Sequence, residues 1–91
     1  MIKIKVIATP KGTEPEVMRQ ALVNCVIVID EGAVARQIGK VGPKDPDHHV
    51  MPSDVVSALV AAGRMREADF WKKTMGPIFH LQKSDCEVIE H

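Results

Sequence analysis

The sequence has no excess of charge of either sign, because twelve lysines and arginines balance twelve aspartates and glutamates. A chain-wide field that attracts nucleic acid or an anionic membrane is therefore excluded. Any such role needs a local basic patch.

Long apolar runs are also missing, and no stretch approaches the roughly 18 residues that a transmembrane helix needs. The segment Met1 to Ile7 alternates charged and apolar side chains, and it lacks the continuous apolar stretch and cleavage site of a signal peptide. We therefore expect no membrane association and a cytoplasmic location.

Cysteine is scarce, with only Cys25 and Cys86. In a reducing cytoplasm these residues are expected to be free thiols that behave as small, inert apolar side chains. Burial in an apolar segment raises the pKa of Cys25, while Asp85 and Glu87 beside Cys86 disfavour its thiolate. Neither thiol is predicted to be a nucleophile.

The sequence signatures of catalysis are absent as well. Neither a Gly-x-Ser-x-Gly motif nor a phosphate-binding glycine loop occurs, and the segment Gly39 to Lys44 does not have the phosphate-loop spacing. We predict no catalytic residue and no cofactor.

Side chains that bind metals do gather in one segment, which contains Asp45, Asp47, His48 and His49. Zinc sites need spacings that let ligands converge, whereas adjacent histidines in an extended loop point apart. Only a distant residue such as His80 or Cys86 would complete a site. The favoured prediction is a solvated polar loop without metal, with His48 and His49 kept as candidate binding residues.

Ninety-one residues are enough for one domain, residues 1–91, with a modest core. Alternating or β-branched apolar residues predict strands over 2–8, 22–29 and 78–83, and a further extended piece over 86–90. Residues 22–29 are apolar on both faces, which predicts a central strand covered on both sides. A turn at Asp30 to Gly32 and a return arm over Ala33 to Ile38 are predicted to form a hairpin.

Helix signals occupy the intervening segments. A Thr13-x-x-Glu16 capping box predicts a short helix over residues 15–20. Ser53 is the expected N-cap of a helix over residues 54–62 that Gly63 ends, and a second helix is predicted over residues 65–74. Residues 39–52, rich in glycine and proline, are predicted to form a loop.

These elements predict an α+β fold, in which an antiparallel or mixed sheet of about four strands packs one face against a helix pair.

Four basic residues bracket the second helix of the pair: Arg64, Arg66, Lys72 and Lys73. The arrangement invites comparison with a helix-turn-helix, but Leu59 and Asp69 fall where that motif has a small residue and a buried aliphatic residue. An ion-paired, solvated helix face is therefore the favoured interpretation, with nucleic-acid binding as the alternative.

Phe70 lies away from the apolar side of the same helix, which Met65, Ala68, Trp71 and Met75 share. Packing under the long loop or against a chain terminus is one interpretation of this position. A contact with a partner or with a second copy is the other, because exposed aromatic side chains are typical interface anchors.

Several short patterns are spread over most of the chain. They are Pro15-Glu16, Arg19, Asp30-x-Gly32, Ala68-x-x-Trp71 and Phe79 with Cys86-Glu87. In these patterns the sequence resembles small bacterial proteins of unassigned activity. The resemblance implies a stand-alone bacterial or phage-like domain and implies no mechanism.

Three functional hypotheses follow. The first is a small non-catalytic binding or interaction module, with a homodimer as one form of it. The second is a nucleic-acid-binding protein that uses the basic patch, and the third is a small metal-dependent protein built on His48, His49 and His80.

Overall fold

Five strands and four helices make up the computed structural model, which describes all 91 residues. The strands are β1 (Ile2–Val6), β2 (Val26–Ile29), β3 (Asp47–Val50), β4 (Phe79–Gln82) and β5 (Cys86–Glu90). The helices are α1 (Glu16–Gln20), α2 (Glu31–Ile38), α3 (Pro52–Ala61) and α4 (Met65–Thr74), with a 3₁₀ turn at Lys83–Asp85. The strands form two antiparallel sheets, one in the order β2-β1-β5 and one of β3 and β4. The predicted α+β class is confirmed.

The core lies between the inner face of the three-stranded sheet, the α3–α4 pair and the inner face of the β3–β4 sheet. Its largest fully buried side chains come from all three parts: Ile4, Val6, Ile27, Val50, Val55, Leu59, Trp71 and Leu81, together with Leu22. The indole N–H of Trp71 donates to the backbone oxygen of Met18 at 3.0 Å, which links α4 to the α1 region. One continuous apolar cluster therefore holds both sheets and the helices together.

The centre of the three-stranded sheet is β1, which pairs antiparallel with both β2 and β5. The prediction of a central strand over residues 22–29 is wrong, since only Val26–Ile29 is extended and β2 lies at a sheet edge. Residues 21–24 instead continue from α1 as a turn, and this turn ends at Asn24 with φ of 73°. Asparagine tolerates this conformation better than most residues. Leu22 and Cys25 are buried through the turn, which explains the apolar pattern.

The predicted hairpin arm over Ala33 to Ile38 is wrong, because these residues belong to α2. The carboxylate of Asp30 caps this helix by accepting a hydrogen bond from the backbone N–H of Ala33 at 3.1 Å. The helix ends at Gly39, whose φ of 87° favours glycine. A capping aspartate thus begins a helix where the sequence pattern indicated a turn.

The stretch predicted as a loop over residues 39–52 contains β3, so that prediction is wrong for Asp47–Val50. In β3, His48 lies opposite Leu81 and His49 opposite His80 of β4. The segment is extended because it pairs with β4, whose residues lie 29 to 35 positions further along the chain, and residues 47–50 carry no local pattern that indicates a strand.

Two predicted helix caps are also wrong. α1 has Pro15 at its N-cap position with no side-chain cap, so Thr13 and Glu16 form no capping box. α3 begins one residue before Ser53, because Pro52 occupies its first turn and Met51 its N-cap position.

The predicted end of the first paired helix and the second paired helix are confirmed. Gly63 follows α3 with φ of 77°, and the backbone N–H groups of Gly63 and Arg64 donate to the oxygens of Val60 and Leu59. Helix α4 spans the predicted residues and packs against α3. None of the four helices has the length and apolar character needed to cross a membrane.

Candidate functional site

A cleft of about 400 Å³ opens between α2, the loop that follows it and the β3–β4 sheet. Its apolar surface comes from Ile2, Ile29, Val34, Ala35 and Val41. Its polar surface comes from Glu31, Lys40, Asp47, His48, His49 and Lys83. Volume and composition both match sites that bind small molecules, which are largely apolar with a few placed polar groups.

The walls of the cleft are fixed by hydrogen bonds on both sides of the loop. At Asp45 the loop forms a tight turn, in which a carboxylate oxygen accepts from the backbone N–H of Asp47 at 2.9 Å. Lys83 then ties the loop to the end of β4: its backbone N–H donates to Pro46 at 2.9 Å, and its Nζ donates to the oxygen of Pro43 at 3.3 Å. The cleft is therefore a built feature of the fold.

The ionic contacts around the cleft leave its basic groups free of carboxylate partners. Glu31 lies 3.4 Å from the N-terminal ammonium, and Asp47 lies 3.7 Å from Nδ1 of His80. Neither Lys40 nor Lys83 forms an ion pair, and the Pro43 oxygen that Lys83 contacts is neutral. Lys40 and Lys83 are therefore cationic groups at the cleft with no carboxylate within ion-pair distance.

His48 is half-buried in the wall of the cleft, on the same side of the sheet as the buried Val50 and Leu81. Burial lowers the pKa of His48 below its usual value, and the nearby Lys83 ammonium lowers it further. Its imidazole is therefore held in the neutral form at neutral pH.

The other face of the same sheet carries a histidine–aspartate cluster of Asp45, Asp47, His49 and His80. Nε2 of His49 lies 3.1 Å from a carboxylate oxygen of Asp45, and the His49 and His80 rings meet edge to face with their centroids 4.5 Å apart. The N–H of Asp47 and the contact with His49 lower the pKa of Asp45.

The cluster orients two imidazoles but supplies neither a nucleophile nor a metal site. Nδ1 of His49 is buried without a hydrogen-bond partner. No three or more histidine, cysteine, aspartate or glutamate side chains are placed to hold a metal ion. Alternation along β3 puts His48 and His49 on opposite faces, so these two candidates do not converge.

Both cysteines are free, as predicted. Burial raises the pKa of Cys25, whose thiol donates to the backbone oxygen of Ala21 at 3.4 Å. Burial, with the charge of Asp85, raises the pKa of Cys86 to about 11. Neither thiol is activated for nucleophilic attack at neutral pH.

The four basic candidates lie on or beside α4, away from the residues that line the cleft. Lys73 Nζ forms an ion pair with Asp69 at 3.1 Å, and Arg64 lies 3.9 Å from Glu67. Arg66 and Lys72 are exposed and form no ion pair. The patch therefore offers two uncompensated cations.

Phe70 is half-buried and packs against the edge of the core. Its ring meets that of Trp71 edge to face at 5.5 Å, and Trp71 meets Phe79 in the same way at 5.3 Å. Met65, which the wheel places with the core, is 62% exposed because it lies in the corner between α3 and α4, where residues 60–66 are all exposed. The buried side of α4 thus excludes Met65, which the pattern predicts to be in the core, and includes part of Phe70, which the pattern places outside it.

Of the candidate residues, the structure brings only His48 and His49 to the cleft. Sequence reasoning noted the loop around the cleft but missed Lys83, Val34 and the rest of the lining. The sequence does contain a signal for this wall of the cleft. Asp30 followed by Glu31 is typical of a helix start, and the apolar residues Val34 and Ile38, four positions apart, mark the buried side of that helix.

Comparison with protein-family models, with curated proteins and with solved structures finds no match to this chain.

Proposed function

We propose that the protein is a small non-catalytic binding module, and that the cleft beside α2 is where its ligand binds. The observation that supports this most is the combination within one 400 Å³ concavity of apolar side chains with Lys40, Lys83 and His48. Burial of apolar surface supplies affinity, and a few convergent polar groups supply orientation.

The chemistry beside the cleft supports a non-catalytic role. Nucleophilic catalysis needs a nucleophile next to a base that a third group orients. Asp45 and His49 form such an orienting pair at 3.1 Å, but no serine or cysteine forms a hydrogen bond with the imidazole of His49 or of His80.

The free thiols fit a reducing compartment, so we propose a cytoplasmic location.

A side chain that fills the cleft tests this function. Ala35 is an exposed α2 residue that lines the cleft, so Ala35→Phe occupies the space with little effect on folding. Ala61→Phe places the same ring at an exposed position on α3 and is the matched control.

The measurement is a ¹H–¹⁵N chemical-shift map with a library of small aromatic and aliphatic acids, alcohols and amines. In the parent protein and in Ala61→Phe, we expect shifts confined to α2, residues 39–43 and β3. In Ala35→Phe these shifts are lost. Shifts confined to another surface, or shifts that Ala35→Phe leaves unchanged, contradict the proposal.

Nucleic-acid binding through α4 is the alternative proposal, and the unpaired Arg66 and Lys72 are what favours it. A short RNA or DNA that binds with strong salt dependence, and loses binding in the double variant Arg66→Gln and Lys72→Gln, supports this alternative.

Self-association is the remaining form of the binding proposal, with Phe70 as its anchor. This side chain is partly buried and packs edge to face against Trp71, so only its exposed part is available to a second copy. Solution mass distinguishes a dimer from a monomer.

Metal analysis of the protein without a histidine tag tests the metal-dependent alternative built on His48, His49 and His80.

A further inference from the structure

We propose that the ligand of the cleft is a small organic anion, in which an apolar body ends in a carboxylate or phosphate group. This inference rests on the proposed function and names the class of ligand that the same site takes.

The charge of the ligand follows from the ionic contacts around the cleft. Of the two acidic residues at its margin, Glu31 pairs with the N-terminal ammonium at 3.4 Å, and Asp47 lies 3.7 Å from Nδ1 of His80, a contact that is ionic only when that imidazole is protonated. The two lysines at the margin have no carboxylate partner. An anion bound here therefore gains charge-assisted hydrogen bonds without displacing an existing ion pair.

Lys83 is the better placed of the two lysines. It is half-buried, and its Nζ is held at 3.3 Å from the oxygen of Pro43, so that one of its three N–H donors has a partner in the loop. The remaining donors are free for a ligand. Because the contact with Pro43 restricts the side chain, less conformational entropy is lost when an anion binds.

His48, on the strand that pairs with the one before Lys83, supports the same assignment. Its imidazole is half-buried and faces the field of Lys83, and both effects lower its pKa. A bound anion reverses the effect of Lys83 and favours the imidazolium, so the pKa of His48 is expected to rise on binding. His48 is therefore a reporter for the charge of whatever occupies the cleft.

The apolar body of the ligand follows from the lining. The apolar surface open to the cleft comes from the exposed Ala35 and the half-buried Ile2 and Val41, while Val34 and Ile29 are almost fully buried and contribute little of it. An inorganic ion alone leaves this apolar surface in water. A ligand with a ring or a short alkyl chain covers it, at about 25 cal/mol per Å² of apolar area.

The test compares four probes by NMR titration at the same pH and salt: 3-phenylpropionate, 3-phenylpropyl phosphate, the uncharged 3-phenylpropan-1-ol and inorganic phosphate. The two organic anions are expected to bind at least about tenfold more tightly than the alcohol or inorganic phosphate. The His48 ring signals are expected to move toward the imidazolium position only with the anions. Whichever organic anion binds more tightly identifies the head group.

Lys83→Gln and Lys40→Gln each remove one positive charge, and Lys11→Gln removes the charge of an exposed lysine outside the cleft. We expect the first two to weaken anion binding about three- to tenfold and to leave alcohol binding unchanged. Lys11→Gln is expected to match the parent protein. Lys40 is exposed, so its variant tests the inference even where Lys83→Gln disturbs the loop.

The outcomes separate the two proposals. Equal binding of acid and alcohol, or equal losses in the Lys83 and Lys11 variants, overturns the anion inference and leaves the binding function in place. Shifts from none of the organic probes overturn both.

Discussion

Single residues at the cleft set how the protein responds to pH. His48 is half-buried and near Lys83, and the lowered pKa means that the folded protein binds a proton at this position less readily than the unfolded chain does. Stability linked to His48 is therefore fully present above the ordinary histidine value of about 6.5 and is lost as the pH falls below it.

The prediction is that His48→Gln reduces the loss of unfolding free energy between pH 7.5 and pH 5.5. Glutamine is neutral throughout, so it carries no penalty at the lower pH. The charged or titrating groups that face His48 are Lys83, Asp47 and His49. The two carboxylates with shifted pKa values, Asp45 (lowered) and Asp54 (raised by burial), are present in both proteins, so the comparison isolates the contribution of His48.

Urea unfolding of both proteins at the two pH values provides the measurement. His91→Gln is the control, because it removes an imidazole at an exposed position remote from His48 in the sequence. An equal loss of unfolding free energy in the parent protein and in His48→Gln means that burial of His48 has no effect on its protonation.

At the scale of elements, α2 and the loop after it position the cleft. The chain leaves α2 through Gly39, where φ of 87° and ψ of 177° form a conformation that almost only glycine adopts. A Cβ added there meets no atom within 4 Å, so the cost of a substitution comes from the backbone alone.

We predict that Gly39→Ala lowers the unfolding free energy by about 1–3 kcal/mol. Gly42→Ala is the control in the same loop, because Gly42 has no positive φ and an added Cβ there also meets open space. This control is expected to change the unfolding free energy by no more than about 1 kcal/mol. An increase is the expected direction, because alanine reduces the conformational entropy of the unfolded chain. Thermal unfolding monitored by circular dichroism measures both, and equal effects of the two substitutions contradict the account.

Elements with strong local signals could be predicted from the sequence, and elements defined by distant partners could not. Helix α4 and its preceding Gly63 follow from periodicity and from a glycine in the left-handed region. In contrast, β3 is rich in histidine and is extended only because it pairs with β4. The cleft was missed for the same reason, since its walls come from four segments that no spacing connects.

At the scale of the whole molecule, a single core joins both sheets, and the cleft lies at its margin. Trp71 is fully buried, meets Phe79 of β4 edge to face and donates to the backbone oxygen of Met18, so this one side chain links α4 to two other parts of the fold. The core elements supply a rigid scaffold, and the loop after α2 contributes binding groups to the cleft. Binding residues commonly lie on loops that a scaffold of this kind positions.

The most direct test of the central claim is a crystal structure of the protein soaked in 3-phenylpropionate. The account predicts an ordered probe in the cleft, with its ring against Ile2 and Val41 and its carboxylate within hydrogen-bond distance of Nζ of Lys83. An unoccupied cleft with the probe ordered on α4, or a cleft closed by movement of residues 39–43, contradicts it.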